Sequence, residues 1–507
     1  MLGDYYSNRR DQTIINEINN NMTLDFFLVA PEIALLIGAM CYQLKGLFFP
    51  AAQRFFSYVL MLFLAILAYL IHSYNLNGSG FNEVYYSSDF TNHIKVFILI
   101  LTSIIIAIYL GYDNVGSSSL KHAHSSYVTL MILSLLGMFL IISARDFMLL
   151  YIGVELQTLA LFILAAYNTD DSKSSEAGLK YFILSALASG LMLFGISLIY
   201  GFSGSLNYKI LNVLYSGNEN MLLVAPPALI IGIVMLIVGL CFKISAAPFH
   251  MWAPDVYEGS PIVSTIFFAS VPKFANLVAL INILFFAFET HGKVWIDIMT
   301  FVALASLIVG SFGAIMQTSI KRLMAYSSIV NIGYICLAIA SNNLASIYAS
   351  MLYFLIYAVS VIGFFATIIS VIPERANEAQ FADLAGMSKT KKNAAFIISV
   401  FAFSMIGIPP AAGFFGKFYI FKTIIETGHY FLAVAGVMAS VVSAYYYLRI
   451  VKVMYFDLPE NTTAISSCMS MSLYIVISLC LFFILGFLGF AGEFLELIKF
   501  PVGLVHD

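Results

Sequence analysis

The 507-residue chain carries 61% hydrophobic and 10% charged side chains, with a mean hydropathy of +0.93, where soluble domains carry about 25% charged residues. That composition excludes a water-soluble globule and intrinsic disorder, and with 33 Gly and 5 Cys it excludes collagenous and disulfide-stapled chains. A net charge of −3 offers no basic field for nucleic acid, which leaves a polytopic membrane protein.

The first 22 residues are polar and Asn-rich (IINEINNN from Ile14) and lack the apolar core of a secretory signal. They read as an N-terminal extension, with Met1 and Met22 both open as the start of translation. A helix needs roughly 20 apolar residues to cross the hydrocarbon core. That ruler predicts fourteen spans, at 24–43, 56–74, 94–112, 127–143, 147–167, 179–200, 225–250, 262–286, 295–317, 323–340, 347–371, 394–426, 429–455 and 470–490. Runs such as Phe147–Tyr167 are too long for strands, and a barrel would alternate in short segments. The predicted fold class is all-α. The longest polar stretches, 75–93 and 372–392, are too short for a soluble domain.

With fourteen spans both termini share a face. That face carries eight basic residues, among them Arg9, Arg10, Lys95 and Arg145. The other carries thirteen, among them Lys45, Lys121, Lys173, Lys321 and Arg322. The positive-inside bias therefore predicts both termini on the periplasmic side.

Three lysines remain inside spans: Lys243 in the seventh, Lys273 in the eighth and Lys417 in the twelfth. The fifth adds an acid, Glu155, in YIGVELQTLALF. A charge at mid-span costs about 2.5–3.5 kcal/mol on insertion scales, so four oppose insertion by about 10 kcal/mol. Such groups pair with one another and mark ion or proton pathways. Lys243 and Lys417 lie nearer span ends, which leaves snorkelling to the interface as an alternative for each. Lys180, Lys422 and Glu32 sit closer still to interfaces and read as structural.

Proline interrupts two of these spans. LCFKISAAPFHMW places Pro248 five residues after Lys243, and SMIGIPPAAGFFGKF places Pro409 and Pro410 shortly before Lys417. Proline removes a backbone hydrogen bond and clashes with the preceding turn, so both spans should break. Interrupted helices at matching places in two halves point to a transport site. The spacing predicts two inverted five-helix repeats, spans 4–8 and 9–13. The chain then divides into the 1–22 extension, a three-helix segment 23–126, repeats at 127–286 and 295–455, and a last span and tail at 456–507.

His250 has two readings, a proton relay or an interface residue beside Trp252. Asp255 and Glu258 read as pins for the re-entry into the eighth span, and Arg145–Asp146 as a tight polar turn. The 30 Tyr and 45 Phe read as lipid-facing and interfacial aromatics. Cys41, Cys241, Cys336, Cys468 and Cys480 lack metal-site spacing, and neither a GxGxxG turn nor a P-loop is present. The sequon Asn461–Thr463 is assigned no role.

FKISAAPFHMWAPDVYEGSP (242–261), SVPKFANL (270–277), IKRLMAYSSIVNIGY (320–334) and IPPAAGFFGKF (408–418) resemble the antiporter-like membrane subunits of complex I, the proton-pumping NADH–quinone oxidoreductase. The DVYEGSP run and the VPK lysine are similar to the N branch of that family rather than its L and M branches. The resemblance implies one proton channel, in which Glu155 and Lys243 form a pair, Lys273 connects, and Lys417 exchanges with the outer water. It implies that NADH, FMN, iron–sulfur clusters and quinone belong to other subunits, with no cofactor or metal in this chain. Its partners would be antiporter-like paralogues, small membrane subunits and, indirectly, a peripheral redox arm, in a bacterial inner membrane. A multi-component Na+/H+ antiporter subunit is the alternative, since it shares the fold and much of the lysine pattern.

Overall fold

A computed structural model of the chain describes residues 25–49, 52–114, 124–216, 226–458 and 470–498. The extension with Met22, the residues Arg9, Arg10, Lys121 and Cys468, and the sequon at Asn461 lie outside the described residues.

Apolar runs this long bury their backbone groups only as helices, and helices dominate. The first elements are α1 (Ala30–Phe48), α2 (Gln53–Tyr74), strands β1 (Gly78–Gly80) and β2 (Tyr85–Ser87), α3 (Asp89–Asn114), α4 (His124–Ser143) and α5 (Phe147–Ala165). Then come α6 (Ser172–Ser203), α7 (Tyr208–Ser216), α8 (Pro227–Lys243), α9 (Trp252–Gly259) and α10 (Ile262–Asn282). The last are α11 (Gly292–Ile315), α12 (Ile320–Ala340), α13 (Leu344–Val371), α14 (Lys392–Ile406), α15 (Ala412–Glu426), α16 (Tyr430–Phe456) and α17 (Met471–Ile498). Among the described residues, 11 helices are individually long and apolar enough to cross a membrane. The others over predicted spans are α1, whose Glu32, Gln43 and Lys45 lower its hydropathy, and the shorter pieces α8, α14 and α15.

The seventh and twelfth predicted spans are broken where their prolines stand. The seventh stops at Lys243 and resumes as α9, and the twelfth divides into α14 and α15. Gly407, at φ +91°, ends α14 in the left-handed conformation that glycine adopts without strain. The enclosed centre is built from α10, α12 and α13, buried along 100%, 94% and 100% of their apolar windows, against 33% for the peripheral α2, α16 and α17.

Two features differ from the sequence expectations. The polar stretch after α2 contains an antiparallel hairpin, β1 with β2, seated on the tight turn between α4 and α5 by a bridge from Tyr85 to Ala144. In that turn the Arg145 guanidinium lies near the rings of Tyr86 and Phe286, at 4.5 and 4.2 Å. Second, the tyrosines are not mainly interfacial. Phe301, Phe312 and Phe431 do face outward, but Tyr109, Tyr127, Tyr257, Tyr334, Tyr446 and Tyr447 are each at most 1% exposed. Their rings fill the enclosed interior, where the Tyr127 and Tyr447 hydroxyls share hydrogen bonds with Ser264 and Ser327, partners that lipid does not offer.

Close helix contact depends on small residues, as in other membrane bundles. A Cβ on Gly137 of α4 would stand 2.5 Å from the Gln157 backbone nitrogen of α5. Backbone has no rotamer by which to move aside. Gly137→Val is expected to cost about 1–3 kcal/mol by overpacking, read as a lower thermal inactivation temperature and lower yield of assembled protein.

Candidate functional site

The break after α8 leaves carbonyl and N–H groups that need partners. The Trp252 indole donates to the Phe242 carbonyl at 2.8 Å, and the Ala247 N–H donates to Ser306 Oγ at 2.8 Å. Thus α9 and α11 complete the interrupted helix. Lys243, its last helical residue, is 5% exposed and donates to Ser185 and Ser189 of α6 at 2.7 and 3.0 Å. Snorkelling is not what this side chain does.

Lys273 follows Pro272 inside α10 and is 1% exposed. Its ammonium donates to Ser245, a residue of the break held at φ +60°, and to Ser328 of α12 at 2.5 Å. The Tyr257 ring lies 5.2 Å away. Lys273 is thus held among hydroxyls and aromatic faces.

Lys417 projects from α15 back onto the end of α14. Its ammonium donates to the terminal Ile406 carbonyl at 2.8 Å and to Ser440 of α16 at 3.0 Å. A cation is favoured at a helix C-terminus, where carbonyls lack intrahelical partners. The two half-helices meet so closely that a Cβ on Gly413 would lie 1.8 Å from the Ser404 carbonyl oxygen. Lys417 is 5% exposed, so it too is an interior group.

Glu155 of α5 is half-buried and not in ion-pair contact with Lys243, although its charge acts on that lysine. Its buried Oε1 has no hydrogen-bond partner, and the lysine ammonium is held by the two serines of α6. His250 stands half-buried in the turn of the break, its Nδ1 3.3 Å from the Pro248 carbonyl oxygen. Three of the five predicted residues are therefore enclosed lysines, and Glu155 and His250 stand apart from them.

Asp255 and Glu258 pin the re-entry by charge. Arg322 of α12 reaches both at 2.9 Å, and Lys180 of α6 reaches Asp255 at 2.8 Å. Burial works against ionisation of Asp255, but these two cations outweigh it and hold the carboxyl below its ordinary value.

Sequence reasoning missed two buried lysines by counting them as loop charges. Lys95, 1% exposed, forms an ion pair with Glu32 at 2.7 Å inside the bundle. Lys321, 2% exposed, donates to the Ser260 carbonyl at 2.7 Å. It reaches a polar cavity of about 360 Å³ lined by Asp171, Lys173, Glu258 and Glu378 among others. The available signal was the helix that carries each: Lys95 lies in the second turn of α3, in HIKVFILIL, and Lys321 in the first turn of α12, in SIKRLMAYSS. Among the described residues, no cluster of three His, Cys, Asp or Glu side chains could hold a metal ion.

The architecture is that of a polytopic helical membrane protein with two interrupted spans, each bringing a buried lysine to its break. The chain belongs to the family described as NADH:quinone oxidoreductase/Mrp antiporter, TM, whose model matches residues 144–443. A protein of Paramagnetospirillum magneticum (strain ATCC 700264 / AMB-1) named NADH-quinone oxidoreductase subunit N is 42% identical over 459 residues, 90% of this chain and 93% of its own length. A chain of respiratory complex I from Thermus thermophilus, solved with bound aureothin, superposes with a TM-score of 0.76 at 26% identity, covering 92% of this chain and 98% of that one. A chain of the Mrp complex from Dietzia sp. DQ12-45-1b shares the fold, with a TM-score of 0.77 at 17% identity over 93% of this chain and 96% of that one.

Proposed function

We propose that this chain is the proton-translocating N-type membrane subunit of an NADH–quinone oxidoreductase. Electron transfer in other subunits would drive H+ through it. The observation that carries this reading is the set of three lysines, Lys243, Lys273 and Lys417, each at most 5% exposed and each held by hydroxyls or carbonyls without a carboxylate in contact. A buried ammonium so held can release its proton to a neighbouring oxygen, whereas a salt-bridged one is fixed in its charged form.

In this reading Glu155 modulates Lys243, Lys273 connects, and Lys417 exchanges with the outer water; His250 stands as a side relay at the first break. The polar cavity at Lys321 serves as an aqueous mouth on the cytoplasmic side, with both termini periplasmic in a bacterial inner membrane. The two breaks belong to inverted five-helix repeats, spans 4–8 and 9–13. NADH, FMN, iron–sulfur clusters and quinone reside in partner subunits. Those partners are antiporter-like paralogues, small membrane subunits and, through them, a peripheral redox arm. The 42% identity to a protein named as a subunit of the quinone reductase favours this over the Na+/H+ antiporter, for which the likeness is one of fold.

The test is purification of the tagged chain with its complex and reconstitution into vesicles. NADH-oxidising subunits should copurify, and NADH should drive H+ uptake. Lys273→Ala should lower H+ translocation by about 10²-fold, the scale of a lost acid–base group. Copurification with small membrane proteins alone, together with Na+-driven H+ exchange, would reject the reading in favour of the antiporter.

A further inference from the structure

The last span, α17, comes back to the first helices and packs on α3 beside α2. The three helices leave an open groove between them, a cavity of about 510 Å³. Leu99 and Ala107 of α3 form its buried floor, with Leu64 and Ala68 of α2 on one side and Val476 of α17 on the other. Midway along, the Ser103 hydroxyl donates to the Leu99 carbonyl of its own helix at 2.8 Å, so its proton is already given within the wall. The body of the groove is therefore apolar.

In lipid no hydrophobic force draws one hydrocarbon surface onto another, so such a groove selects its occupant by shape and by the groups at its ends. From Tyr58 to Ala68 it follows about 15 Å of α2. A helix with its side chains is about 10–12 Å wide and fills about 1,200 Å³ or more over that length, more than twice the cavity. An alkyl chain, a single file of methylenes, needs far less.

One end of the groove is charged. Arg54 stands one turn before Tyr58 on the same face of α2. Its side chain is 64% exposed, with the guanidinium 3.5 Å from the Asp113 carboxylate at the end of α3. The start of α17 lies at this same end, since a Cβ on Gly111 of α3 would stand 2.7 and 2.8 Å from the Ser470 and Ser472 hydroxyls. Asp113 takes one edge of a fork that carries five N–H donors, which leaves others facing outward. The first-turn N–H groups of α17 add the positive end of a helix. Both favour a phosphate.

We propose that this groove is a binding site for one membrane phospholipid with an anionic headgroup. One acyl chain lies along α3 between α2 and α17, and the phosphate rests against Arg54 and the start of α17. The lipid fills the seam between the first helices and the last span. The site lies apart from the lysine path and does not depend on it.

The experiment places the assembled complex in phosphatidylcholine vesicles that contain a phospholipid with a photoactivatable diazirine on one acyl chain, either phosphatidylglycerol or phosphatidylcholine. Labelled peptides are quantified by mass spectrometry, with the outward face of α11 at Phe301 and Phe312 as the reference for bulk lipid. The anionic probe should label the groove about fivefold more than the neutral one, the weight of one basic residue at an anionic surface, and should show no such preference at α11. Arg54→Gln should remove the preference, and Asp113→Asn, which frees the guanidinium, should raise it. Ala65→Phe with Ile475→Phe, both exposed positions on the groove walls, should block labelling at Ser103 and spare α11. Arg54→Gln alters only an exposed side chain, so it decides the matter even where the double phenylalanine variant fails to assemble. Equal labelling of groove and α11 by both probes means bulk lipid only and overturns the inference. Labelling of α11 without the groove means that protein covers it, and overturns the inference as well.

Discussion

Lys243→Ala is expected to abolish proton pumping by the reconstituted complex while the complex still assembles. The ammonium sits at the last turn of α8, between two serine hydroxyls and within the field of Glu155. A carboxylate within about 4–6 Å favours the charged form of a lysine, and desolvation opposes it. Movement of Glu155 toward the serine pair would load the lysine, and its retreat would unload it. Alanine leaves nothing to load. The expected loss is about 10²-fold or more in H+ per NADH. Lys243→Arg separates charge from proton release: it keeps the cation but cannot deprotonate, so it should assemble well and still fail to pump. Pumping by the arginine variant at the unaltered ratio would reduce Lys243 to an electrostatic element.

The second large effect concerns a part of the molecule remote from the lysine path. Glu32→Ala is expected to destabilise the protein by about 3–5 kcal/mol, because it strands the Lys95 charge inside the bundle. Glu32, Lys95 and the Tyr85 hydroxyl form a closed triangle, with all three contacts at 2.7 Å. That triangle ties α1 to α3 and both to the hairpin. Replacing both charges, as Glu32→Leu with Lys95→Met, should recover most of the loss, since well-packed apolar pairs match or exceed buried ion pairs. The measurement is the thermal inactivation half-life of the detergent-solubilised complex and its yield. A single Glu32→Ala variant as stable as the unaltered protein would show that Lys95 finds another partner or loses its proton.

The helices, their breaks and the intramembrane lysines could be read from residue order because each has a local cause. An apolar run of about twenty residues has one backbone solution in lipid, and a proline removes its hydrogen bond wherever the chain goes. Burial has no such local cause. Lys95 stands in the second turn of its helix and Lys321 in the first turn of its own, and nothing in HIKVF or SIKRL tells which neighbour will close over them. The hairpin at Gly78–Ser87 was hidden for the same reason, since its second strand pairs across to Ala144. Likewise Glu155 and Lys243 are matched in charge, yet it is α6, with Ser185 and Ser189, that occupies the ammonium.

Residue order therefore settles that the chain lives in lipid, that it is helical, that two of its spans are interrupted, and that Lys243, Lys273 and Lys417 are carried inside. These follow from hydrophobic length and from the chemistry of single residues. Packing settles which of those groups meet, that hydroxyls and carbonyls hold Lys243, Lys273 and Lys417 while a carboxylate holds Lys95, and that Tyr334 of α12 meets Tyr353 of α13 in the interior. Those are distances between segments far apart in the chain, set by how helix faces fit together.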